Sequence, residues 1–148
     1  SACVVIGLTS DSKLYILECF RERMLFPDLI KKIESMHLEI CKKYNVNAEI
    51  LTLIEDASSG VQAIQQLKRN IRIVSIKPES DKITRFSGIS PFIESGKCLF
   101  PNNAGSWWKS FESEILTFPS CTFKDQCDAL SQGIQYITKR CSIKPYNS

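Results

Sequence analysis

At 148 residues, 43% of them hydrophobic and 24% charged, the chain is long enough to bury one core and too short for a multidomain machine. Nineteen Lys and Arg against sixteen Asp and Glu leave a net charge of +3, too mild by itself to mark a nucleic-acid partner. No apolar run approaches the roughly 20 residues of a membrane span, no targeting pattern opens the chain, and its first residue, Ser, fits a processed chain or a fragment.

Residues 3–8 are almost all apolar and β-branched, which predicts a strand; Thr9, Ser10, Asp11 and Ser12 form a turn, and residues 14–19 a returning strand. Pro27 and Asp28 open a helix over 28–44, because Leu29, Ile30, Ile33, Met36, His37, Ile40, Cys41 and Tyr44 recur at three- and four-residue steps. Residues 45–47 end it. A second apolar run over 49–54 closes on Glu55 and Asp56, followed by Ser58, Ser59, Gly60 and a helical pattern. Residues 71–76 make a further strand, stopped by Lys77 and Pro78.

Residues 81–92 read as a helix, 96–101 as a short edge strand, and 107–118 as a helix presenting Trp107, Trp108, Phe111 and Ile115. A closing helix carries Cys127, Leu130, Ile134, Ile137 and Cys141 on one stripe. Strands alternating with helices behind a hairpin predict an α/β architecture. One mixed sheet takes the strands near 3–8, 13–20, 49–54 and 72–77, and the helix over 28–44 packs on it through Ile33, Met36 and Ile40.

Seven cysteines, an odd number lying within apolar patterns, predict reduced, buried side chains rather than a disulfide framework. Cys121 and Cys127 are the nearest pair, and the five residues between them do not make a zinc knuckle. Glu55 and Asp56 sit where α/β proteins place chemistry, at the carboxyl end of a strand. Asp125 and Asp128 share one face at the start of the last helix. These acids either balance a helix dipole or supply oxygen ligands to a hard divalent cation such as Mg²⁺ or Mn²⁺. Lys68, Arg69, Arg72, Lys77, Lys82 and Arg85, against Glu79 and Asp81, give residues 68–85 a local charge of +4. That concentration is either a solvated face or a contact with a duplex backbone. His37 reads as a packed boundary residue, and Trp107 and Trp108 as packing aromatics. No Walker loop, dinucleotide fingerprint or Gly-x-Ser-x-Gly elbow occurs.

Several short motifs, in order, resemble one family. They are YILECFRERMLFP at 15–27, IEDASSG at 54–60, IKP at 76–78 with Asp81, Lys82 and Arg85, SP at 90–91, ESG at 94–96, LFP at 99–101, FP at 118–119 and DQCDALSQ at 125–132. Together they resemble the carboxyl-terminal nuclease domain of phage and prophage large terminase subunits. The resemblance implies a ribonuclease-H-like mixed sheet flanked by helices, cutting double-stranded viral DNA during genome packaging with Mg²⁺ or Mn²⁺ held by three acids. Glu55, with Asp56 as neighbour or substitute, matches the second acid, and Asp125 the third, with Asp128 in support. Lys77, Lys82 and Arg85 are then the DNA-binding cations.

The family's first strand and its acid have no counterpart, so the resemblance implies one amino-terminally incomplete domain over 1–148, with an ATPase domain upstream. Phe123-Lys124-Asp125 also replaces the family's His-Asp-Asp. Two functions follow: a metal-dependent endonuclease, or a catalytically impaired prophage remnant or non-catalytic DNA-binding or assembly module of the same fold. Nucleotidyl transfer and resolvase chemistry belong to the same fold class. The implied partners are double-stranded DNA, other terminase subunits and the portal, with no membrane and no nucleotide, in the cytoplasm of a bacterial host or infected cell.

Overall fold

A computed structural model describes residues 1–46, 50–102 and 105–146. Among these residues the chain is a mixed α/β fold with two sheets and five helices, divided into two compact units.

The first unit comprises residues 1–22 and 80–148. Strands β1 (Ala2–Leu8) and β2 (Leu14–Arg21) pair antiparallel around the Thr9–Ser12 turn, with a register shift between Val5 and Ile6. The short strand β5 (Cys98–Leu99) adds in parallel to the other side of β2, so β2 is central and β5 is an edge. Helices α3 (Lys82–Glu94), α4 (Trp108–Thr117) and α5 (Asp125–Arg140) complete the unit. Leu14, Ile16, Ile89, Phe111, Leu130 and Ile134 form its core. Burying each such side chain is worth about 1.5–3 kcal/mol, and Trp107 and Trp108 pack on this core, their rings 5.7 and 6.0 Å from that of Phe111.

The second unit, residues 23–79, holds α1 (Phe26–Tyr44), β3 (Thr52–Glu55), α2 (Ser59–Leu67) and β4 (Ile73–Ile76). Strands β3 and β4 are parallel, and α2 is the connection between them. Pro27 sits in the first turn of α1, where its missing N–H is not needed. Asn45 ends the helix in the left-handed conformation, and its N–H reaches the Cys41 carbonyl.

Two expectations are corrected. The strands form two separate ladders, β1-β2-β5 and β3-β4, instead of one mixed sheet. The α1 stripe packs on α2, Phe26, Ile30 and Ile33 grouping with Ala63 and Leu67 in a cluster that also takes Ile54 of β3 and Ile73 of β4, while Met36 and Ile40 are half-buried outside that cluster. Periodicity names the apolar face of a helix but not the element opposite. The expected positions Asn47 and Glu49 lie outside the described residues.

Asp81 caps α3, its carboxylate accepting from the backbone N–H groups of Ile83 and Thr84 at 3.0 Å each and from the Thr84 hydroxyl at 2.7 Å. The bonds from Thr84, then that from Ile83, hold the carboxyl below its ordinary value of 3.8. A folded value below the unfolded one stabilises the fold fully above about pH 4, and this contribution is lost as pH falls through the folded value. Asp81→Ala should therefore lower the melting temperature at neutral pH and shrink the further loss as pH falls below about 4, as followed by circular dichroism.

Candidate functional site: paired acids and cations

In the second unit, parallel register aligns Glu55 with Ile76, so the residues that follow, Asp56 and Lys77, emerge together at the carboxyl ends of β3 and β4. The Asp56 N–H bonds to the Ile76 carbonyl at 2.8 Å, fixing the end of the ladder. The Asp56 carboxylate lies 3.6 Å from the Lys77 ammonium. Glu55, in β3, is half-buried.

A tight turn anchors this tip. The N–H of Ala57 bonds to the Glu55 carbonyl at 2.9 Å and that of Gly60 to the Ala57 carbonyl at 2.9 Å. Ser58 has φ 50° and ψ −125°, a conformation costly for a residue with a Cβ. A Cβ on Gly60 would collide with the Glu55 carbonyl, so only glycine lets α2 start so close to the strand. Ser58 occupies the cap position of α2, but its side chain makes no capping bond.

In the first unit, two helices begin side by side. Lys82 and Arg85 lie three residues apart at the start of α3, and Asp125 and Asp128 three apart at the start of α5, so each pair shares one helix face. Those faces meet. Arg85 donates to Asp128 from Nε at 2.9 Å and from Nη2 at 2.5 Å, and Nη1 donates to the Ser80 carbonyl. Both side chains are more than nine-tenths buried. The Lys82 ammonium donates to Asp125 Oδ1 at 3.0 Å and lies 3.7 Å from Asp128 Oδ2, bridging the two aspartates. Desolvation opposes the lysine's charge, but the hydrogen bond and charge of Asp125, then the charge of Asp128, outweigh it and hold the ammonium above its usual range.

One further carboxylate positions α5. Glu114 of α4 is buried and accepts from Arg21 at 2.9 Å, from Gln126 Nε2 at 2.8 Å and from the backbone N–H of Cys127 at 2.9 Å. It satisfies an N–H of the first turn of α5, and with it the placement of Asp125 and Asp128. Gln126 in turn accepts from the Cys19 thiol at 3.0 Å. Sequence reasoning missed Glu114, although its signal was present: a carboxylate three residues after Phe111, inside an apolar stripe.

A model of the terminase RNaseH-like domain matches residues 1–136. The chain belongs to that family. No curated protein and no solved structure matches it. Of the acids assigned by resemblance, Asp125 and Asp128 come together in this terminase domain, but around Lys82 and Arg85, and Glu55 and Asp56 belong to the other unit. Among the described residues, no group of three or more His, Cys, Asp or Glu side chains is placed to hold a metal ion. The carboxylates of Asp56, Asp125 and Asp128 instead each lie within 4 Å of a lysine ammonium or the Arg85 guanidinium. None of the seven cysteines forms a disulfide, and burial pushes the Cys98 thiol up to about 12. No helix among the described residues is long and apolar enough to cross a membrane.

The two cation pairs should respond very differently to substitution. Arg85→Met strands a buried carboxylate and should cost about 3–5 kcal/mol. Lys82→Met removes a partly exposed bridge and should cost about 1 kcal/mol or less. Urea unfolding midpoints check both. Gly60→Ala should speed amide exchange across β3 and α2, whereas Ser59→Ala should leave it unchanged.

Proposed function

We propose that this terminase-family domain binds double-stranded DNA through its phosphates, alongside other components of the packaging machinery, and is catalytically impaired as a nuclease. One observation carries the reading. Asp56, Asp125 and Asp128 are each answered by a cation from the set that the family resemblance assigns to DNA, Lys77, Lys82 and Arg85. Paired phosphodiester-cleaving metals need several carboxylates with oxygens turned to the ions, whereas here the charges of those oxygens are already matched.

The cations divide by exposure. Arg85 is a structural cation, since its guanidinium is spent on Asp128 and the Ser80 carbonyl inside the fold. Lys77, with 80% of its side chain exposed, is the member best placed to reach a phosphate, and Lys82 at 42% is intermediate. Lys68, Arg69 and Arg72 are exposed in the same unit as Lys77 and add to its field. The endonuclease reading instead requires Glu55, Asp56 and Asp125 to gather around Mg²⁺ or Mn²⁺, which means displacing Lys82 from Asp125.

Purified protein should bind duplex DNA weakly and without sequence preference, with affinity falling steeply as salt rises. Lys77→Ala should weaken binding uniformly across sequences. Nicking of supercoiled plasmid should be absent or very slow in Mg²⁺ and Mn²⁺. Robust nicking that Asp125→Ala abolishes would overturn the impaired reading. Mn²⁺ binding, measured by calorimetry, should be poorer than about millimolar and should tighten in Lys82→Met, because that substitution frees the Asp125 carboxylate.

A further inference from the structure

The carboxyl end of α5 carries a different arrangement from its acidic start. After Arg140 the chain hooks back: the Cys141 N–H bonds to the Ile137 carbonyl, Ser142 turns at φ 52°, and the Ile143 N–H returns to the Thr138 carbonyl, each bond being 2.9 Å. Ile143 packs on the core of the first unit, which fixes the hook. Between it, the β1–β2 turn and the α3–β5 connection lies an open cavity of about 450 Å³. Lys97, Lys144, Ser12, Ser142, Tyr146 and Cys141 line it.

Among the described residues, no Asp or Glu lines this cavity. Two acids flank it: Glu94 accepts from the Tyr146 hydroxyl at 3.4 Å, and Asp11 lies 3.8 Å from Lys13. Lys97 is half-buried and donates to the Lys144 carbonyl at 2.5 Å. An ammonium has three N–H donors, so that bond orients the group and leaves two for a ligand. Lys139 and Arg140, exposed in the last turn of α5, deepen the positive field.

We propose that this cavity is an oxyanion site for a phosphate group of the nucleic-acid backbone. Two ammonium groups among hydroxyls, with no glycine-rich cradle, recognise charge and oxygen geometry rather than a whole mononucleotide. The site rests on the DNA-binding reading above and extends it. At 1.5 Å per residue the 16 residues of α5 separate it from the Lys82 cluster by about 24 Å, roughly seven base-pair steps of duplex.

Cys141 supplies the readout, because it is the one exposed cysteine of the seven. Alkylation of the full chain by iodoacetamide should slow several-fold with inorganic phosphate, relative to chloride at equal ionic strength, and again with a 30-base-pair duplex at low salt. Lys97→Gln with Lys144→Gln should remove both protections and flatten the slope of log affinity against log salt by about 0.9, the value for one phosphate that is no longer neutralised. Lys144→Glu, at an exposed position, repeats the test without touching the half-buried lysine. Protection by phosphate but not by bound duplex would overturn the nucleic-acid assignment and leave a free-phosphate site. Duplex binding that persists unchanged in both variants, with no protection of Cys141, would overturn the site while the DNA-binding reading stands. Absence of duplex binding would overturn that reading and the nucleic-acid assignment together.

Discussion

A guanidinium and a carboxylate almost sealed from water, Arg85 and Asp128, determine how the first unit is assembled. Removing two charges from solvent costs several kcal/mol per ion, and the pair is tolerated only because the geometry is close and the remaining guanidinium donor finds the Ser80 carbonyl. That requirement brings the first turns of α3 and α5 together in one relative position. Further along the same helices, the Gln135 amide reaches the Arg85 carbonyl at 3.4 Å, and Gly88 leaves room for Gln135. Glu114 makes a matching demand from α4, so the start of α5 is held from two directions by buried charge.

Buried charge of this kind specifies arrangement more than it stabilises. An apolar pair of equal volume often stabilises a fold as well or better, but it would not select one register of α3 against α5. The exposed bridge of Lys82 is different in kind: it adds little to stability and instead decides the local field, by setting an ammonium between the two aspartates best placed to attract a cation. In the second unit, the pairing of Lys77 with Asp56 is a consequence of parallel register alone.

Much of the local structure was legible in the sequence because its causes are local. The Thr9–Ser12 turn between two apolar runs announced the hairpin, and the three- and four-residue steps announced α1 and α5. The turn after Glu55 and Asp56 was also visible, though the steric need for Gly60 was not. What the residues hid was non-local. Four-residue strands do not declare which ladder they join, and the apolar stripe of α1 did not reveal α2 as its partner. Taken along the chain, the acids read as metal ligands and the cations as DNA contacts. That they answer each other appears only when α3 and α5 are set side by side, although like charges three residues apart on each helix, with opposite sign between helices, are a readable complementarity.

The two-plus-two balance of Lys82 and Arg85 with Asp125 and Asp128 also limits how this sequence can drift. At Arg85 or Asp128 a single neutral substitution leaves its partner buried and uncompensated, so the two positions are free to change only as a pair, and an apolar replacement of both is the accessible exit. Lys82 and Asp125, open to water, can each vary alone. A lineage descending from this chain should therefore show linked change inside the helix pair and independent change at its rim, a record of burial written in covariation rather than in conservation.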